Sequence, residues 1–103
     1  MSFSVDKEGF LNNLQDWSHD VAEQIAREDS IELTAAHWEI IDLVRSYYAE
    51  FKISPAARII VKLLKAHCGP DKGNSIYLMK LFTGRPARMA NKVAGLPKPT
   101  NCD

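Results

Sequence analysis

The sequence predicts a mainly α-helical fold: a compact orthogonal bundle of about five helices with a helix-turn-helix-like element and a small N-terminal β-hairpin. Three observations carry this. Apolar residues recur at helical spacing in several separate stretches, most of them opened by a capping residue and closed by glycine or proline. Strand-like alternation occurs only near the start, at Phe3 and Val5. At 103 residues, 46% hydrophobic and 25% charged, the chain is sized for one core of its own. Residues 1–95 therefore read as a single helical domain and 96–103 as a flexible C-terminal arm.

Each element follows in turn. Phe3 and Val5, the turn-like Asp6-Lys7-Glu8-Gly9 and then Phe10-Leu11 predict the hairpin. Ser18 is an N-cap for a helix to about Glu28, with Val21, Ala22, Ile25 and Ala26 on one face. Asp20 suits its positive end. Thr34 caps the next, expected to be central, whose stripe runs Trp38, Ile41, Val44, Tyr48 and Phe51, widened by Leu43 and Tyr47. Ser54-Pro55 signals a third start, because serine caps and proline is tolerated at the first helical position. That helix buries Ile59, Ile60, Leu63 and Leu64 and stops near Cys68, before Gly69-Pro70. Its outer side carries a basic stripe of Arg58, Lys62 and Lys65. Asn74 caps a short helix with Ile76, Tyr77, Leu81 and Phe82 as apolar members, and Gly84 is its expected stop. Pro86 opens a last helix of small residues, Ala87, Ala90 and Ala94, with Arg88 and Lys92 one turn apart and Gly95 as its end.

The zero net charge conceals a division. Residues 1–50 hold eleven acidic and three basic side chains, and residues 51–103 hold ten basic and two acidic, so the halves carry −8 and +8. Either the halves neutralise each other across the fold, or the basic half faces an anionic partner. No stretch approaches the ~18 apolar residues of a membrane span, and the start has no basic region followed by an apolar run, so a cytoplasmic location is expected. Cys68 and Cys102 form no disulfide framework and no zinc-type cluster, and no phosphate-cradling glycine motif occurs. Neither a metal nor a cofactor is expected. His19 and His37 read as first-turn polar residues, His67 as a last-turn cation and Cys68 as a small packed hydrophobe. A helix-turn-helix would present Ser75, Tyr77 and Lys80 to a DNA groove, but its turn is long and Lys80 is its lone cation.

Cys102 is the principal chemical candidate. The tail Gly95-Leu-Pro-Lys-Pro-Thr-Asn-Cys102-Asp103 cannot bury it in regular structure. Its prolines favour an extended conformer with a reach of roughly 22 Å from Gly95. By position alone this is either an incidental chain-end cysteine or a thiol in use. An exposed free thiol is a liability for oxidation, which favours use. Asp103 and the terminal carboxylate hold the proton on, so the thiol is expected to be sluggish until it docks on a basic surface, that of Arg58, Lys62 and Lys92 or a partner's.

The stretches Leu33-Thr-Ala-Ala-His-Trp38-Glu, Phe51-Lys-Ile-Ser54-Pro55-Ala-Ala-Arg58 with Lys62, Gly73-Asn74-Ser75-Ile-Tyr77-Leu78 with Leu81-Phe82, and Lys92-Val-Ala-Gly95-Leu-Pro97-Lys-Pro99 with Cys102 resemble the DsrC/TusE family. The resemblance runs from Gly9 to the end. It implies a helical fold with a helix-turn-helix-like element and a sulfur-carrying tail cysteine. Members serving dissimilatory sulfite reductase have a second cysteine eleven positions before the penultimate one, where this chain has Asn91. The resemblance thus implies the TusE-like branch, in which Cys102 would accept persulfide sulfur from a TusBCD-like complex. It would pass that sulfur to the tRNA thiouridylase MnmA for 2-thiolation of wobble uridine, touching tRNA only through that enzyme. Arg58, Lys62, Lys92 and Lys98 match cationic positions, implied to dock partners and stabilise anionic sulfur, while Gly95, Pro97 and Pro99 position the tail. Two departures stand out: Arg85 where the family has glycine, and Asp103 in place of an apolar final residue. The alternatives are a DsrC-like protein of sulfur oxidation or sulfite reduction with a sulfite-reductase-type partner, and a helix-turn-helix nucleic-acid-binding regulator.

Overall fold

Local capping chemistry places the helices in a computed structural model that describes residues 3–100. The helices are α1 (His19–Glu28), α2 (Ala35–Phe51), α3 (Ala57–Cys68), α4 (Ser75–Phe82) and α5 (Pro86–Val93), after a 3-10 turn at Leu14–Asp16. Ser18 caps α1 by accepting from the Val21 N–H at 3.2 Å. Asn74 caps α4 by accepting from the Tyr77 N–H at 2.8 Å. Pro86 occupies the first turn of α5, as expected.

Thr34 precedes α2 and its own N–H donates to His37 Nδ1 at 3.0 Å. With Nδ1 accepting, Nε2 carries the proton and donates to the Leu81 carbonyl at 2.8 Å. His37, a polar residue in the first turn of α2 as expected, is therefore also a buried tie between the start of α2 and the end of α4. Its partner lies too far along the chain for spacing to reveal.

Helix α5 packs against each of the other four helices. Its small residues explain this, since Ala87, Ala90 and Val93 are wholly buried and allow close approach. Around it lie Val21, Ile25, Ile40, Ile41, Val44, Ile60, Leu64, Leu78 and Phe82. The centre of the bundle is thus α5, rather than α2 as the longest apolar stripe suggested. The tail that follows α5 leaves from the middle of the fold.

Three expectations are corrected. The hairpin is reduced to a single antiparallel bridge between Val5 and Leu11. The Asp6 carboxylate accepts from the N–H groups of Glu8 and Phe10, both at 2.9 Å, and so binds the loop to itself, while Asn13 starts the 3-10 turn two residues after Leu11. Ser54 does not cap α3, which begins at Ala57 with Ala56 at the cap position. Thr83, in the left-handed region at φ 67°, ends α4 in place of Gly84.

Four ion pairs occur among the described residues, and every one joins the acidic half to the basic half: Lys72–Glu39, Arg88–Glu8, Lys92–Asp29 and Lys98–Glu8. Neutralisation across the fold is real but incomplete. Among the described residues, no carboxylate lies within ion-pair distance of Lys52, Arg58, Lys62, Lys65, Lys80 or Arg85.

Candidate functional site at the root of the tail

The end of α5 is closed by a Schellman motif. The Leu96 N–H donates to the Asn91 carbonyl at 2.9 Å and the Gly95 N–H to the Lys92 carbonyl at 3.1 Å. Gly95 takes the left-handed conformation this requires, with φ 76°. A second constraint acts at the same residue, because a Cβ on Gly95 would lie 2.2 Å from Trp17 Cδ1. The indole covers the helix end and donates from Nε1 to the Val93 carbonyl at 2.9 Å.

Arg45 completes this clamp. Its guanidinium stacks 3.8 Å from the Trp17 ring centroid and donates to the Ala94 carbonyl at 2.7 Å. Burial pushes the Arg45 guanidinium down from its ordinary value, and nearby Asp42 opposes that shift. Two carbonyls left over at the end of α5 thus receive donors from α2 and from the segment before α1. Sequence reasoning missed Trp17 and Arg45, since their partners lie 76 and 49 residues away.

The next residues rest on the domain. Leu96 and Pro99 are buried, while Pro97 and Lys98 are exposed. The buried Ser54 hydroxyl donates to the Pro97 carbonyl at 2.6 Å, which explains why this serine is not a helix cap. Lys98 pairs with Glu8 at 3.3 Å, and Arg88 of α5 reaches the same carboxylate at 3.4 Å. Hydrogen bonding from Lys98 is the largest of the effects that hold the Glu8 carboxyl below its usual range.

Asn91 is fully buried behind this segment. Its Nδ2 donates to the Pro55 carbonyl at 2.9 Å and to the Ala87 carbonyl at 2.8 Å, which fastens the Ser54-Pro55 segment to α5.

The sequence-predicted site residues divide. Gly95, Pro97, Pro99 and Lys98 come together at the tail root. Arg58 and Lys62 are exposed on α3 with no carboxylate partner among the described residues. Lys92 is different: its side chain is only 14% exposed and its ammonium sits 2.9 Å from Asp29, beneath Gly9. It ties α5 to the end of α1. Cys102 lies outside the described residues.

Cys68, at the end of α3, is half-buried and beside Glu39. Burial first, and hydrogen bonding to Glu39 next, push its thiol up, so it stays protonated and a poor nucleophile. On α4, Tyr77 packs against the core while Ile76 and Met79 are exposed, which removes one of the three residues expected to face DNA. Among the described residues no helix is long and apolar enough to cross a membrane.

A family model described as "DsrC like protein" matches residues 1–102. The chain belongs to this DsrC-like family. It is 48% identical over 99 residues to the sulfurtransferase TusE of Sodalis glossinidius, covering 96% of this chain and 92% of that protein. It is 53% identical over 98 residues to a sulfurtransferase TusE homologue of Haemophilus influenzae, covering 95% and 90%. The fold matches the solution structure of DsrC from Allochromatium vinosum with a TM-score of 0.88 at 50% identity, over 98% of this chain and 90% of that one. It also matches the crystal structure of the oxidized γ-subunit of dissimilatory sulfite reductase (DsrC) from Archaeoglobus fulgidus, with a TM-score of 0.86 at 40% identity over 98% and 92%. The resemblance drawn from the sequence motifs is met, and with it the sulfurtransferase reading.

Proposed function

We propose that this DsrC-like chain carries sulfane sulfur as a persulfide on Cys102, taking it from a TusBCD-like donor complex and giving it to an MnmA-like tRNA thiouridylase in the cytoplasm. In the loading step the Cys102 thiolate attacks the outer sulfur of the donor's persulfide. The new Sγ–S bond forms as the donor's S–S bond breaks, and the donor leaves as a thiolate, so no outside oxidant or reductant is consumed. The outer sulfur on Cys102 is then transferred in the same way to the acceptor. This chain contributes a thiol, an arm fixed at its root and a basic surface that favours the anionic form of the sulfur.

The observation that carries this reading over a sulfite-reductase role is Asn91. Identity alone does not separate the branches, since one DsrC protein matches at 50% and two TusE proteins at 48% and 53%. At the place where the resemblance puts a second cysteine, this chain has an amide committed to the Pro55 and Ala87 carbonyls. A disulfide or trisulfide between that position and Cys102 therefore has no second sulfur to form on. The test is the 2-thiouridine content of tRNA from cells whose sole copy is Cys102→Ser or Cys68→Ser. Loss of the modification in the first and retention in the second is expected; normal thiolation with Cys102→Ser contradicts the reading.

A further inference from the structure

Helix α2 ends at Phe51, and Lys52 turns the chain in the left-handed conformation with φ 60°. Phe51 is 51% exposed and Ile53 57%, although the next two residues, Ser54 and Pro55, are buried. The Phe51 ring is held 4.6 Å from that of Tyr47, so the projection is shaped rather than loose. Phe51 and Ile53 thus expose two large apolar side chains within three residues of chain, a pairing that suits a contact surface.

This projection adjoins the tail root directly. Ser54 holds the Pro97 carbonyl, and Asn91 holds the Pro55 carbonyl against α5. While Pro99 is buried on the domain, Cys102 lies only three residues beyond it. Three residues span at most roughly 10 Å, so a protein whose thiol meets Cys102 comes close to the part of the domain on which Pro99 rests. The nearby charge is mainly positive, although Glu50 beside Phe51 is an exposed carboxylate. Lys52, Arg58 and Lys62 are exposed and have no carboxylate in ion-pair range among the described residues.

We propose that the Phe51–Ile53 projection, flanked by Lys52, Arg58 and Lys62, is the docking face for the protein that loads sulfur onto Cys102, and that this partner presents an apolar hollow rimmed by Asp and Glu carboxylates. The proposal rests on the carrier reading and adds the surface that recognises the partner. A two-fold pairing with a second copy would set this cationic face against itself. A nucleic acid would satisfy the cations but leave the aliphatic Ile53 without a counterpart. A few apolar anchors with a charged rim suit a carrier that must bind quickly and let go.

The experiment measures binding of the purified TusBCD-like donor complex to the Cys102→Ser protein, so that recognition is read without chemistry. Combined Phe51→Ser and Ile53→Ser substitutions are expected to weaken Kd about tenfold or more. Combined Arg58→Glu and Lys62→Glu substitutions, which alter exposed positions on α3 and guard against misfolding of the first variant, are expected to do the same. Raising the salt to about 0.5 M should narrow the difference between the charge-reversed protein and its parent but not that of the serine variant. Values within twofold of the parent for both variants overturn the proposal, as does failure of the Cys102→Ser protein to bind at all. Loss of self-association or of tRNA binding in the serine variant, with donor binding intact, also overturns it in favour of those occupants. If this pattern of affinities holds while Cys102 of the wild type takes up no sulfur, the docking face stands and the carrier reading falls.

Discussion

Replacing Gly95 with alanine tests whether the tail root is built as described. Two costs act together. The left-handed φ of 76° is unfavourable for any residue with a Cβ, by about 1–2 kcal/mol. The new methyl would also lie 2.2 Å from Trp17 Cδ1, so the ring must retreat by roughly 1.3 Å to regain a carbon–carbon separation of about 3.5 Å. It has little room to do so, because Arg45 stacks on it and its own Nε1 is bonded to Val93. Overpacking of this kind costs about 1–3 kcal/mol, which brings the expected loss to about 3 kcal/mol, a large part of a small domain's stability. For a chain of this size that lowers the melting temperature by about 12–20 °C, read by far-ultraviolet circular dichroism. Gly84→Ala is the matched control, since no atom lies within 4 Å of the added methyl, and its expected change is under about 0.5 kcal/mol. A Gly95→Ala protein melting within about 2 °C of wild type would refute both the conformational and the steric argument.

Three further outcomes are expected. Ser30 occupies the left-handed position of a second Schellman motif, at φ 62° with the Ile31 N–H bonded to the Ala26 carbonyl, so Ser30→Gly should stabilise the fold by about 1 kcal/mol in urea unfolding. Glu8 is held below its ordinary 4.5 mainly by Lys98, so its ion pairs are fully present above that pH and are lost as the pH falls through the lower folded value; an NMR titration should show Glu8, Arg88 and Lys98 signals moving together with a midpoint under 4.5. Cys68 is held above its ordinary 9.0 by burial and by Glu39, so in a Cys102→Ser background Glu39→Gln should speed its alkylation several-fold at pH 8, and an unchanged rate would contradict the assigned cause.

Much of the fold was legible because helix starts are local chemistry. Ser18, Thr34, Asn74 and Pro86 each mark a boundary within a few residues, and the structure places α1, α2, α4 and α5 behind them. Two of the misses share a cause, which is competition for a polar group from far along the chain. Ser54 looks like a cap but gives its hydroxyl to Pro97, 43 residues on, and Lys92 looks like a free cation but belongs to Asp29, 63 residues back. Thr83 ended α4 one residue before the glycine that spacing favoured. At the site, the tail motif and the Arg58–Lys62 stripe could be read from the sequence. The Trp17–Arg45 clamp and the seating of Pro99 required the tertiary arrangement.

Intact-mass analysis after exposure to a persulfidated donor protein puts the central claim to the most direct trial. Wild type and Cys68→Ser should each gain the mass of one sulfur atom that a thiol reductant removes, and Cys102→Ser should gain none. Sulfur found on Cys68 alone, or retained in Cys102→Ser, would contradict the assignment of the tail cysteine as the carrier.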